Sequence, residues 1–162
     1  MDVFDLAAGF MAFGIVAILL GLVVGLVVYI LTSLGLYKYL KMMNHQYAYA
    51  AWIPFWGMFC AAQTVPVDEE KRVTLFGTTK VPQLVLCLYW LIGWCLNFIP
   101  VIGAIAGVVV NFGGAFIIYK SVYARIEGTQ ESEVVGKAVV TTLFPFVLFF
   151  AMNKYNKTHT AY

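Results

Sequence analysis

Residues 6–37 read LAAGFMAFGIVAILLGLVVGLVVYILTSLGLY, without one Asp, Glu, Lys or Arg. As a helix this run would be about 48 Å long at ~1.5 Å per residue, against ~30 Å for the hydrocarbon core of a bilayer. It therefore predicts a transmembrane span near residues 8–32, whose end projects toward Lys38 and Lys41 as interfacial anchors. Asp2 and Asp5 precede the run, where a cleavable signal would start with basic residues and a shorter apolar core, so a retained anchor is expected. One face carries Ala17, Gly21 and Gly25 at intervals of four. Small residues at that spacing let another helix approach closely, and close packing drives association when lipid and protein are equally apolar. A helix of the same chain is the expected partner of that face, in preference to a second copy.

The rest of the composition agrees. Of 162 residues, 62% are hydrophobic and 11% charged, where a soluble domain carries about 25% charged residues. With a mean hydropathy of +0.87, the chain reads as an all-α, polytopic helical membrane protein forming a single integral domain over 1–162. An outer-membrane barrel would instead alternate polar and apolar residues in segments of ~10. A net charge of +2, with no basic run interleaved with aromatics, gives no reason to expect nucleic acid. Cys60, Cys87 and Cys95 lie in apolar segments without CxxC spacing, which favours small buried hydrophobes over zinc ligands or a disulfide framework. No metal or other cofactor is expected.

Three apolar stretches are interrupted by proline: Trp52-Ile53-Pro54-Phe55, Phe98-Ile99-Pro100-Val101 and Leu143-Phe144-Pro145-Phe146. The ring removes a backbone donor and clashes with the preceding turn, so Pro54, Pro100 and Pro145 predict kinks or turns. Residues 81–119 are uncharged, too long for one span and long enough for two short ones, near 82–99 and 102–119, turning at Pro100. The second arm carries Gly103 and Gly107, another close-packing pair, and Asn111, whose amide needs a partner and is expected to face other helices. Segments 47–65 and 138–152 are marginal in length. The first crowds aromatics around Pro54, with Trp52 and Trp56 as interfacial anchors. Both read as proline-broken, re-entrant or interfacial elements. Between them, Asp68 to Arg72 reads as a solvated turn, Thr78 to Pro82 as a helix start, and Gly128-Thr129 as the end of one helix and the start of another.

Charge separates two topologies. With five spans, Lys71, Arg72, Lys80, Lys120, Arg125 and Lys137 would face opposite to Lys38, Lys41, Lys154 and Lys157. With three spans and two half-inserted elements, all ten Lys and Arg share one side. The positive-inside rule favours the second arrangement, with the N-terminus outside and the C-terminus cytoplasmic. Five spans remain the alternative.

The stretch from Leu36-Tyr37-Lys38-Tyr39 through Tyr47-Ala48-Tyr49-Ala50-Ala51-Trp52-Ile53-Pro54-Phe55 resembles the "GWAAIIPxYN" segment of the DUF5684 family of small bacterial membrane proteins, some of them labelled signal peptidase I. Gly136 to Val147, continuing to Asn153-Lys154-Tyr155, is similar to that family's closing "GLxxLPxIFYPxLAFGxxxY" stretch. The chain departs from it after Pro54, where Trp56 or Gly57 replaces an Asn, and at Phe149 or Phe150, where the second closing proline is missing. The resemblance implies a bacterial cytoplasmic membrane location. It carries no settled activity.

Signal-peptidase chemistry requires a serine beside a lysine of lowered pKa in a water-shielded site. Ser132 with Lys137 lies in a charged segment, and no GxSxG or HExxH motif exists. The expectation is a non-enzymatic accessory or scaffold subunit whose partners are the lipid bilayer and other membrane-protein subunits, or copies of itself. The alternative is a small homo-oligomeric channel or transporter component, against which stands the absence of Asp, Glu, Lys, Arg and His in 6–37 and 81–119.

Overall fold

The uncharged N-terminal run folds as one helix, α1 (Val3–Met42). This computed structural model describes residues 3–75 and 79–159, with the backbone alone for residues 3–10 and His159. From Met11 to Ile30 every residue of α1 is exposed except Gly14 and Val28, which are half-buried. Its last third is different: Leu36, Tyr39 and Leu40 are buried in the core. The free part is about 30 Å long at ~1.5 Å per residue, the thickness of a bilayer's hydrocarbon layer.

A 3-10 turn (Ala48–Trp52) and α2 (Trp56–Gln63) fold back against α1. Strands β1 (Arg72–Leu75) and β2 (Thr79–Pro82) pair antiparallel, with Val73 opposite Val81. Then come α3 (Gln83–Cys87), α4 (Tyr89–Leu96), α5 (Ile102–Glu127), α6 (Val135–Leu143) and α7 (Val147–His159). Helix makes up 72% of the structure, in seven α-helices among the described residues. Two are long and apolar enough to cross a membrane, α1 over Met11–Met42 and α5 over Ile102–Glu127.

Two segments differ from the sequence expectation. Thr79–Pro82, read as a helix start, is a strand, because Val73 is buried and draws its partner Val81 into the same ladder; Thr78 lies outside the described residues. The expected span 82–99 is two short helices kinked at Leu88 (φ −104°, ψ 13°). Its hydrogen bonding carries across the kink, from the Leu88 N–H to the Leu84 carbonyl and from the Ile92 N–H to the Leu88 carbonyl, each 3.0 Å.

α1 serves as a ruler for the rest. The Tyr29 hydroxyl donates to the Trp52 carbonyl, and the Tyr39 hydroxyl bonds the Thr64 hydroxyl at 2.7 Å. α2 therefore runs from the level of Tyr29 to that of Tyr39. The Gln83 amide donates to the Gln63 carbonyl at 2.9 Å, and Trp90 stacks on Phe55 at 4.9 Å. So α3 and α4 climb back beside α2, in the direction of α1's free end. α5 returns, ending with Arg125 near Met43. It stops at Gly128, whose left-handed conformation (φ 63°) closes the last turn on the Ala124 carbonyl. α6 climbs with Thr141 bonded to Tyr123 at 2.8 Å. α7 descends with its backbone against Gly35 and Asn153 beside Lys38. The proline turns thus gather toward one end of the molecule, and the β-hairpin, the α5–α6 loop and the end of α7 toward the other. The core between them is built from Tyr39, Leu40, Ala61, Ile118, Val122, Leu148 and Met152.

Candidate functional site

The α4–α5 hairpin closes on glycine. A Cβ on Gly103 would lie 2.0 Å from the Leu96 carbonyl oxygen, and one on Gly107 2.7 Å from that of Gly93. One on Gly114 would meet the Tyr89 ring at 2.4 Å, and one on Gly93 would meet the Asn111 amide at 2.3 Å. Both helices need residues without a Cβ to approach this far. Asn111 therefore faces α4. Beside it the Asn97 amide donates to the Gly93 carbonyl at 3.0 Å, so two amides meet in an otherwise apolar seam.

The other small-residue face lacks such a neighbour. A Cβ on Gly21 or Gly25 would meet nothing within 4 Å, and Ala17 is exposed. Among the described residues, no helix of the same chain covers the face.

Pro54 and Pro100 build the same turn. The Trp56 N–H donates to the Pro54 carbonyl at 2.8 Å and the Ile102 N–H to the Pro100 carbonyl at 2.7 Å. The residues between, Phe55 (φ 66°, ψ −31°) and Val101 (φ 60°, ψ −69°), have positive φ. These are i to i+2 turns of the strained, positive-φ kind, and a branched residue such as Val101 is sterically disfavoured there. Pro145 differs. Phe144 is extended (φ −129°, ψ 78°), and ordinary bonds from Val147 and Leu148 lead into α7.

The expected anchors fall at distinct heights. Trp52 and Trp56 are exposed beside the Pro54 turn, and Trp56 stacks on Phe59 at 5.2 Å. Lys38 lies over the Phe149 ring at 4.7 Å and bonds Asn153, whereas Lys41 is exposed at the end of α1. The Lys137 ammonium bonds both Glu127 carboxylate oxygens, at 2.6 and 2.5 Å, and Ser132 is exposed. No group of three His, Cys, Asp or Glu is placed to hold a metal ion among the described residues.

Sequence reasoning missed three features: the β-hairpin, the shared geometry of Pro54 and Pro100, and a groove among α5, α6 and α7. The first two had signals, the alternation in Arg72-Val73-Thr74-Leu75 and the repeated Ile-Pro pair. The groove had none, because its walls come from three separate helices. No family model, curated protein or solved structure matches the chain. The class its fold defines is therefore the coarse one: a mostly helical protein with two helices apolar enough to cross a membrane.

Proposed function

We propose that the protein is a non-enzymatic accessory or scaffold subunit of a cytoplasmic membrane, the bacterial membrane location being what its resemblance to the DUF5684 family implies. The observation that carries this reading is the free length of α1. Residues 11–30 present an exposed apolar surface with an open small-residue stripe, which suits a lipid-embedded helix that receives another protein's helix. In this reading residues 8–32, 82–99 and 102–119 span, with the N-terminus outside. The Pro54 and Pro145 elements are wedged into the cytoplasmic leaflet. Support comes from the shared direction of α1's free end and the α4–α5 hairpin, and from the gathering of charged loops at the opposite end.

The side-chain chemistry favours binding over catalysis. A serine–lysine pair needs the lysine amine directed at the serine, whereas Lys137 is engaged with the Glu127 carboxylate and Ser132 is exposed. Purification of the full chain in mild detergent tests the proposal. A stoichiometric membrane partner should co-purify and be lost on Gly21→Ile. A symmetric homo-oligomer conducting ions in liposomes would replace this reading with the channel.

A further inference from the structure

A groove of about 740 Å³ runs among α5, α6 and α7, within the range of about 300–1,000 Å³ usual for ligand sites. Its lining is graded. Lys137, Lys154 and Glu127 stand toward one end, and Val140, Val147 and Phe150 toward the other. The grading follows from antiparallel helices: Lys137 lies six residues before the end of α6 and Lys154 seven residues after the start of α7, so both cations share a height. Glu127 is taken up by Lys137, while the exposed Lys154 ammonium has no acidic partner among the described residues. Among the described residues, the polar end therefore keeps one positive charge without an acidic partner.

We propose that this groove holds an anionic phospholipid, its phosphate at Lys154 and Lys137 and one acyl chain along Val140, Val147 and Phe150. The inference rests on the reading of the chain as membrane-embedded and adds the ligand class. Three observations select a lipid over other occupants. The groove is parallel to the ruler helix: Gly35 backs on Phe149 and Lys38 reaches Asn153, so its apolar end points the way α1's free end points. A lipid standing upright in the cytoplasmic leaflet enters without tilting. The groove also continues into an exposed apolar flank, Val139, Leu143 and Phe144, which gives the second chain a place beside it. Finally, a small soluble phosphate would satisfy the lysines and leave the apolar half empty, whereas a partner helix would have no use for this positive charge. Attraction of an anionic headgroup to a basic cytoplasmic-side pocket between helices is an expected mode of lipid recognition.

The test uses the full chain in mild detergent, with phosphatidylglycerol and phosphatidylcholine of identical chains retained in native mass spectrometry. The wild type should retain phosphatidylglycerol preferentially. Lys154→Gln should reduce that retention about fivefold. Val140→Trp, at an exposed position where a larger side chain fills the groove without invading the core, should remove the preference. Glycerol phosphate should not compete. Equal retention of the two lipids, indifference to Val140→Trp, or competition by glycerol phosphate would each overturn the inference. Flotation with phosphatidylcholine vesicles separates the two levels of the argument. A wild type that fails to float defeats the membrane reading itself. Wild type and variants that all float, without lipid selectivity, defeat only the groove.

Discussion

The carbonyl oxygen of Leu96 occupies the place a side chain on Gly103 would need, 2.0 Å from the position of its Cβ. The obstacle is backbone, so it cannot rotate away. Gly103→Ala must open the α4–α5 hairpin or shift α5 along α4. Overpacking of this kind costs about 1–3 kcal/mol, and the rigid neighbour puts this site at the upper end. Thermal unfolding in detergent should show a clear drop for Gly103→Ala and a smaller one for Gly107→Ala, which faces the Gly93 carbonyl at 2.7 Å. Unchanged unfolding of Gly103→Ala would contradict the close approach.

The same substitution logic gives the opposite result on α1. Nothing stands within 4 Å of a Cβ on Gly21 or Gly25. Gly21→Ile and Gly25→Ile should leave unfolding within about 0.5 kcal/mol of the wild type, as surface changes do, yet block the approach of a partner helix. Loss of the co-purifying partner without loss of stability is the expected pair of measurements. Destabilisation would mean that the stripe packs within the chain.

Val101 holds φ at 60°, a region where its branched Cβ meets the backbone, and 76% of its surface is exposed. Strain of this kind costs about 1–3 kcal/mol, and little packing is lost when the side chain is removed. Val101→Gly should therefore raise the stability of the hairpin by about 1 kcal/mol. The equivalent Phe55→Gly should not, because Phe55 stacks on Trp90 and loses a contact worth about 0.5–1.5 kcal/mol beyond burial. Thermal unfolding of both variants under one condition distinguishes strain from packing. A destabilised Val101→Gly would show that the turn is not strained.

These residues also mark how far the sequence could be read. α1 and α5 were legible because charge-free runs of spanning length leave few alternatives. The turn at Pro100 was legible because the ring removes a donor in the middle of such a run. The kinship of Pro54 with Pro100, and the separateness of Pro145, was not. It depends on the backbone after each proline, where Phe55 and Val101 adopt positive φ, and neither is a residue type that favours it. The spacing of Ala17, Gly21 and Gly25 on α1 was legible, but no helix among the described residues covers it as the partner expected within the chain. Helical spacing says that something fits, and only the arrangement of the other helices says whether this chain supplies it. The groove among α5, α6 and α7 was illegible for the same reason, since Lys137 and Lys154 share a height only after α6 and α7 pack antiparallel.

Asp68 ties the β-hairpin to its approach. Its carboxylate accepts from the Lys80 ammonium at 2.9 Å, the Arg72 N–H at 2.8 Å and the Glu70 N–H at 3.1 Å. The Lys80 bond, followed by the Arg72 N–H, holds its pKa below the ordinary aspartate value. A folded pKa below the unfolded one means that the ionised form favours the hairpin. That contribution is full above the unfolded value and is lost as pH falls through the lowered folded value. The protection of the Val73 and Lys80 amides, measured against their intrinsic exchange rates, should therefore fall progressively below about pH 4. Asp68→Asn should exchange faster at neutral pH and lose the acid dependence. Retention of that dependence in the variant would assign it to another carboxylate.

The orientation can be tested on two loops that the β-hairpin and the α5 cap hold open to solvent. Glu70 lies in the turn before β1 and Thr129 just after the Gly128 cap, and both are exposed. Of the native thiols, Cys60 and Cys87 are buried and Cys95 is exposed, so a Cys95→Ser background removes the reactive one. If only residues 8–32, 82–99 and 102–119 cross, an even number of crossings separates the two loops, and both belong to the basic, cytoplasmic side. The arrangement with five spans also puts them together, but on the side opposite Lys41. A third variant, Lys41→Cys at the exposed end of α1, is therefore decisive. With three spans, Glu70→Cys, Thr129→Cys and Lys41→Cys should all react with a membrane-impermeant maleimide only after the cytoplasmic face is opened. Reaction of Lys41→Cys from the face opposite the other two would show that the Pro54 segment crosses the membrane, and the five-span arrangement would replace the half-inserted one.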